Sequence, residues 1–313
     1  MPRSIPGGLP WLSVLMPTFN GTRYVAAALD SIVEQGDAGI ELVIADDGST
    51  DGTLDLVRRY QGRLALRVVQ SARVGNWVTG TNVALQAAQG EYVCLLHQDD
   101  LWLPGRAAAI RDALPFSLLV HPALFIGSGG RKLGHWRTPL PAGTVAPAAF
   151  IERLLVQNFL ACPSPVFPRA SALPDGLDET LWYLADWDLW LRLGARGPVR
   201  SLAAPLTAFR IHRDSQTLSR EHTAEDLREQ HRKVLARHFP PWAAGASTRH
   251  AVRVRAAADF SVAINVALAQ AWRGRGAAVA SLPPRFLRLG PSGWSRYLRD
   301  SRLHERVWAR LRA

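Results

Sequence analysis

Cysteine and lysine are nearly missing from this chain of 313 residues, which holds only Cys94 and Cys162, and Lys132 and Lys233. Two thiols cannot build a disulfide framework or a cysteine-based metal site. Cys94 lies inside an apolar run as a small hydrophobe, and a reducing compartment suits both. Also missing is any uninterrupted apolar run of the about 18 to 20 residues that a membrane-crossing helix needs. The first ten residues, Met-Pro-Arg-Ser-Ile-Pro-Gly-Gly-Leu-Pro, lack the apolar core of a secretion signal, so the chain is expected in the cytoplasm. No expected strand leads into Gly-x-Gly-x-x-Gly, the turn whose amides hold a dinucleotide's pyrophosphate, which argues against a dinucleotide site of that type.

What is present suffices for a large core, since 48% of the residues are apolar. The formal charge of +11 is unevenly placed. From Arg249 to the end there are 13 arginines against Asp259, Asp300 and Glu305, a net of +10, which leaves +1 for residues 1–248. Such a basic tail is compatible with nucleic acid, but it carries no base-stacking motif of a known module, and no nucleic-acid partner is expected.

The stretch Glu91-Tyr-Val-Cys-Leu-Leu-His-Gln-Asp-Asp-Leu-Trp-Leu-Pro104 is the most informative. Tyr92 to Leu96 shows no polar alternation and reads as a strand buried on both faces, which puts Asp99 and Asp100 at its carboxyl end. Two unneutralised carboxylates there call for a cation or hydrogen-bond donors; the alternative is that Asp99 caps a helix opened by Pro104. Leu12–Met16, Glu41–Ala45 and Leu64–Val69 repeat the strand pattern, with helical spacing in Tyr24–Gln35, after Asp51 and in Val78–Ala88. Alternating strands and helices with short connections imply a mostly parallel α/β sheet flanked by helices, with the ends after Met16, Ala45 and Leu96 along one edge. Carboxylates at two of those ends suggest that a metal, rather than a glycine-rich turn, holds phosphates. Asp47 suits a nucleobase imino group or a ribose hydroxyl, or else a turn built on Asp47-Gly48.

Taken together, Ser13-Val-Leu-Met-Pro-Thr-Phe-Asn20, Val43-Ile-Ala-Asp-Asp-Gly-Ser-Thr-Asp51, Asn82, Gly90-Glu-Tyr92 and Gln98-Asp-Asp-Leu-Trp-Leu-Pro104 resemble the family 2 glycosyltransferases of GT-A fold, in order and spacing, over roughly the first 215 residues. The resemblance implies transfer of a sugar from a nucleotide-diphosphate donor with inversion, assisted by a divalent cation, Mg2+ or Mn2+. It maps donor contacts onto Pro17, Thr18 and Asp47, with His97 and Gln98 beside them. The metal motif maps onto Asp99, with Asp100 as the second choice. The first position of the usual Asp-x-Asp is His97 here, which either contacts the donor or packs at the sheet edge. The form Gln98-Asp-Asp-Leu-Trp102 looks most like transferases of rhamnose from its dTDP donor, and the family context points to a saccharide or lipid-linked acceptor of bacterial surface polysaccharide. A non-catalytic nucleotide-sugar binder is the alternative that His97 and Ala185 leave open.

Residues 105–150 read as irregular. In Ala185-Asp-Trp-Asp-Leu-Trp-Leu-Arg192, Asp186 and Asp188 stand about 200° apart around a helix, so one faces a pocket and the other solvent. By resemblance Asp186 is the general base, while Ala185 replaces the family's preceding Glu; a helix N-cap is the other role open to Asp186. In Phe209-Arg-Ile-His-Arg-Asp-Ser-Gln-Thr217 the resemblance puts Arg210 and His212 near the diphosphate. A guanidinium fork suits phosphate oxygens, and a neutral imidazole suits a metal. The expected division is a catalytic domain over 1–217 and a helical, Arg-rich extension over 218–313. Helices are expected at Glu221–Phe239, Arg249–Trp272 and Trp294–Arg312. The last gathers Arg296, Arg299, Arg302, Arg306 and Arg310 on one arc opposite Trp and Tyr, the pattern of a helix lying on an anionic membrane surface, or of one docked on its own domain with Arg outward.

Overall fold

The computed structural model describes residues 8–213, 215, 221–274 and 276–313. The expected boundary at 217/218 and the first seven residues lie outside the described residues. From the N-terminus the chain runs β1 (Leu12–Thr18), α1 (Val25–Val33), β2 (Ile40–Asp46), α2 (Thr53–Arg58), β3 (Ala65–Gln70), α3 (Trp77–Ala87) and β4 (Tyr92–Leu95). β1, β2 and β4 are buried at every position, as apolar runs without alternation must be when helices cover both faces. They pair in parallel, in the order β3-β2-β1-β4. Their carboxyl ends therefore share one edge.

The stretch that reads as irregular in sequence supplies two strands of the main sheet and two of a smaller one. Residues 105–150 hold α4 (Arg106–Asp112), β6 (Leu118–Val120), β7 (Ala123–Ile126), β8 (Lys132–Trp136), β9 (Gly143–Val145) and the start of α5 (Pro147–Val156), after a two-residue β5 (Leu101–Trp102). These strands have three to five residues and little alternation, too short a sample for a period of two to show. Next come β10 (Val166–Pro168), α6 (Arg169–Ala172), α7 (Ala185–Gly194), β11 (Val199–Ser201) and β12 (Thr207–Arg210). The main sheet has the order β3-β2-β1-β4-β10-β6-β11-β9, with β10 antiparallel to both neighbours, and a smaller sheet runs β5-β12-β7-β8. β12 pairs with β5 directly after Asp99-Asp100, which fixes the metal-motif segment against Arg210.

From residue 224 the described chain is helical: α8 (Ala224–Ala243), α9 (Thr248–Ala271), α10 (Leu282–Leu287), α11 (Gly290–Ser301) and α12 (Leu303–Leu311). A reciprocal Thr223–Asp226 capping box starts α8. These helices are fastened to the α/β body. Val156 of α5 packs among Val254, Phe260, Ile264 and Tyr297, and Gln157 Oε1 accepts from Ser261 Oγ at 2.6 Å and Asn265 Nδ2 at 3.2 Å. The single helix expected over Trp294–Arg312 is broken. Arg302 adopts φ +49° between α11 and α12, a left-handed turn that rotates the second half away from the first. The continuous arginine arc is thereby lost: Tyr297 is fully buried, and Arg306 and Arg310 line an internal cleft. Among the described residues no helix is long and apolar enough to cross a membrane.

Candidate active site

One cavity of about 600 Å³ opens at the carboxyl edge of β1, β2 and β4 and is roofed by α7, α9 and α12. Of the residues singled out in the sequence, Pro17, Thr18, Asp47, His97, Gln98, Asp99, Asp186, Arg210 and His212 line it; Asp100 lies just behind, 1% exposed.

On the β1–β2 side, several of these residues shape the wall. Gln98 clamps the loop after β1: its Oε1 accepts from Phe19 N at 3.0 Å and its Nε2 donates to Phe19 O at 2.9 Å. The clamp needs Gly21, where an added Cβ would meet Gln98 Oε1 at 2.3 Å. Thr18 Oγ1 turns back to Met16 O, and Pro17 packs against α3 at Gly80. Asp47 accepts from Val74 N at 2.5 Å, Gly75 N at 2.8 Å and Arg73 Nη1 at 3.0 Å, while the Arg73 guanidinium lies 3.2 Å over the Phe19 ring. Arg73 and Phe19 thus stack beside Asp47, a contact with no periodic signature in the sequence.

The acidic corner is held from β12. Arg210 N donates to Asp100 Oδ1 at 2.9 Å and Arg210 Nε to Asp99 O at 2.7 Å; Nη1 reaches Gly127 O and Ser128 O. These guanidinium donors are spent on backbone carbonyls, so Arg210 cross-links two turns, where the sequence suggests a phosphate fork. His212 Nε2 lies 2.7 Å from Asp99 Oδ2. One ligand atom each from His97, Asp99 and Asp100 falls within a 4.8 Å group, the one such group among the described residues. His212 stands beside it through Asp99.

Burial, with Asp99 alongside, pushes the Asp100 carboxyl well above the usual range. Burial acts in the same direction on Asp99, but the His212 bond and the charges of His97 and His212 outweigh it and lower this carboxyl. Burial lowers His97, which stands edge-on to Trp77 at 5.0 Å. Asp100 Oδ2 is buried with no hydrogen-bond partner. Two crowded carboxylates, one with an orphaned oxygen, and a neutral imidazole make an oxygen-rich donor set that fits a divalent cation.

The first turn of α7 presents Asp186 to the same cavity. Its Oδ1 accepts from Trp187 N at 2.6 Å and its Oδ2 from Asn158 Nδ2 at 3.3 Å. Burial outweighs both bonds and pushes its pKa up to about 6. That is where a carboxylate acts as a general base near neutral pH. The expected opposition of Asp186 and Asp188 holds, but Asp188 does not face solvent. It is fully buried against α8, accepting from Arg192 Nε at 2.9 Å, Arg237 Nη1 at 2.8 Å and His238 Nε2 at 2.8 Å. Burial alone would raise Asp188; the His238 bond, then the surrounding cations, bring it down to about 2.

Sequence reasoning missed Asn158, Tyr183, Arg306 and Arg310, all of which line the cavity. Asn158 follows α5 with no motif around it, and the arginines were hidden in a pattern that looked like a surface helix.

An α/β sheet of GT-A type thus brings a metal-competent acidic corner and the Asp186 carboxylate to one cleft. Residues 13–138 match the model of glycosyl transferase family 2. It is similar to the putative teichuronic acid biosynthesis glycosyltransferase TuaG of Bacillus subtilis, 35% identical over 162 residues, 51% of this chain and 63% of TuaG. It is 25% identical to the hyaluronan synthase of Pasteurella multocida over 213 residues, 68% of this chain and 22% of that one. The chain thus spans less than two thirds of these curated relatives, and about a fifth of the synthase. Among solved structures, S. aureus TarS 1-349 superimposes with TM-score 0.59 at 20% identity, covering 92% of this chain and 89% of that one, a likeness of fold.

Proposed function

We propose that the chain is an inverting glycosyltransferase that moves a sugar from a nucleotide-diphosphate donor to a hydroxyl of a saccharide or lipid-linked acceptor, with Mg2+ or Mn2+, in surface polysaccharide synthesis. The observation that carries this is that Asp186, at a pKa of about 6, lines the same cavity as His97 and Asp99, with Asp100 directly behind them. The acceptor oxygen attacks the anomeric carbon as Asp186 takes its proton. The bond to the leaving diphosphate breaks with its electron pair on the phosphate oxygen, and in-line attack inverts the anomeric centre. Asp99, with Asp100 and His97, would hold the cation, which supplies Lewis-acid stabilisation of the departing diphosphate. Arg210 keeps Asp99 and Asp100 in register, and Asn158 orients the Asp186 carboxylate.

The donor class is supported by TarS structures with UDP and with UDP-GlcNAc, and by a mannosyltransferase from Pyrobaculum calidifontis with GDP-Man and Mn2+. Within that class, Gln98-Asp-Asp-Leu-Trp102 favours dTDP-rhamnose by its form. The names of TuaG and of the poly(ribitol-phosphate) transferase TarS support a role in surface polymers. Chelation by EDTA is expected to weaken binding of the matching nucleoside diphosphate about tenfold or more, with recovery on added Mn2+, as titration calorimetry would read. Equal binding with and without chelator would remove the cation from the mechanism.

A cytoplasmic position at an anionic membrane surface belongs to the same proposal. Its support is confined to Leu298, Trp308 and Leu311, which are exposed on α11 and α12. The full chain is expected to float with phosphatidylglycerol vesicles and Trp308→Ser to float less; indistinguishable flotation of the two would end that part of the proposal.

A further inference from the structure

Arg306 and Arg310 stand one turn apart on one face of α12. The adjoining face, about 100° around the helix, is anchored: Ala309 packs with Phe125 and Leu133, and Glu305 accepts from Arg137 N at 2.8 Å and Arg137 Nη1 at 2.9 Å. This anchoring turns the two arginines into the cavity. Arg306 Nη2 donates to Asn265 Oδ1 at 3.0 Å, and its Nη1 is buried with no hydrogen-bond partner. Arg310 Nη1 donates to Arg306 O at 3.3 Å, and its guanidinium lies 4.5 Å from the Trp272 ring centroid.

Other arginines of this region have carboxylate partners: Arg296 with Glu152, Arg299 with Asp300 and Arg137 with Glu305. Among the described residues, Arg306 and Arg310 have none. Burial, and then the charge of Arg306, draw Arg310 down to about 10, the mark of two like charges crowded without a counterion. The pair shares the cavity with Tyr183 and Asp186. Both arginines and Asp186 act on the Tyr183 phenol. Two guanidiniums and an orphaned N–H, held over Asn265, offer an oxyanion a set of donors in the cavity that Asp186 lines.

We propose that Arg306 and Arg310 form an anion-binding acceptor subsite, so that the acceptor carries a phosphate ester or a carboxylate close to the hydroxyl that is glycosylated. The assignment rests on the transferase reading above, which supplies the acceptor. It also gives the C-terminal helices a part in the site, since without α12 the cavity would lose this wall.

The test uses the full chain and the double variant Arg306→Gln/Arg310→Gln, with Arg306→Lys/Arg310→Lys keeping the charge and losing the fork. Titration calorimetry reads sn-glycerol 3-phosphate, glucuronate and glucose as acceptor probes, and UDP, GDP and dTDP with Mn2+ as donor probes. Wild type is expected to bind one of the two anions and not glucose, and the better anion tells phosphate from carboxylate. The Gln pair is expected to lose that binding by about tenfold or more, with the Lys pair intermediate and the nucleotide unchanged. Loss of nucleotide binding in the Gln pair, with anion binding intact, would assign the arginines to the donor diphosphate and overturn the proposal. Absence of anion binding by wild type, or equal anion binding by all three proteins, would overturn it too. Anion binding that needs the arginines, in a wild type that binds no nucleotide, would instead overturn the transferase reading and the word acceptor with it.

Discussion

Asp186→Asn is expected to lower sugar transfer by about 10²- to 10⁴-fold while leaving donor affinity unchanged. The amide keeps the volume and can still accept from Trp187 N, but it cannot take the acceptor's proton. Unaltered transfer would remove Asp186 from the mechanism, and a parallel loss of donor binding would make it a donor contact. In the wild type, transfer should fall about tenfold for each pH unit below the Asp186 pKa of about 6 and level off above it. The stability change has a definite sign. The folded pKa of this carboxyl lies above its ordinary 3.8, so the native state holds the proton more tightly than the unfolded chain. Ionised Asp186 therefore costs stability, and the cost develops as pH rises from about 4 through about 6. At neutral pH the penalty is on the order of 2 kcal/mol, reduced by the water that enters the open cavity. Asp186→Asn should accordingly melt higher than wild type at neutral pH and lose that advantage in acid. Higher stability with lower activity separates a functional carboxylate from a helix cap, whose removal would destabilise.

Asp188→Asn is expected to do the reverse, costing about 3 kcal/mol of stability as read by urea unfolding. Asp188 is fully buried, and three cationic or protonatable groups point at it. The value is placed at the lower end of the range for a broken buried pair because Arg237, with 46% of its side chain exposed, can rehydrate, while Arg192 at 17% cannot do so readily. Its folded pKa of about 2 lies below the ordinary 3.8, so its contribution is present above about pH 4 and is lost as pH falls toward 2. A change of less than about 1 kcal/mol would mean that the link between α7 and α8 is not held by this carboxylate.

The contrast between these two aspartates shows how far the sequence could be read. Helical geometry placed them on opposite faces, which is correct; that the second face meets α8 and not water depends on Arg237 and His238, some 50 residues away. The parallel half of the sheet was legible because β1, β2 and β4 are uninterrupted apolar runs ending in polar turns. β6 to β9 were not, because strands of three to five residues carry too few positions to show a period. Among the singled-out residues, the lining of one cavity by Pro17, Asp47 and Asp99 follows from parallel topology, which sends strand ends to one edge, whereas Asp186 reaches it from the first turn of α7. Arg210 looked like a phosphate fork because its residue type allows it, yet pairing of β12 with β5 and β7 directs its donors to Asp99 O and Gly127 O. The 3.6-residue periodicity of 294–312 is real on each side of Arg302. A single left-handed residue, which no composition rule marks in an arginine, turned a supposed surface arc into part of the cavity wall.

The most direct test of the central claim is to incubate the full chain with UDP-, GDP- and dTDP-sugars and Mn2+, following free nucleoside diphosphate by mass spectrometry. One donor should be turned over by the wild type, to water or to an added acceptor, with EDTA stopping the release and Asp186→Asn slowing it. Binding of a nucleotide sugar without any turnover, or release that Asp186→Asn leaves unchanged, would contradict the account.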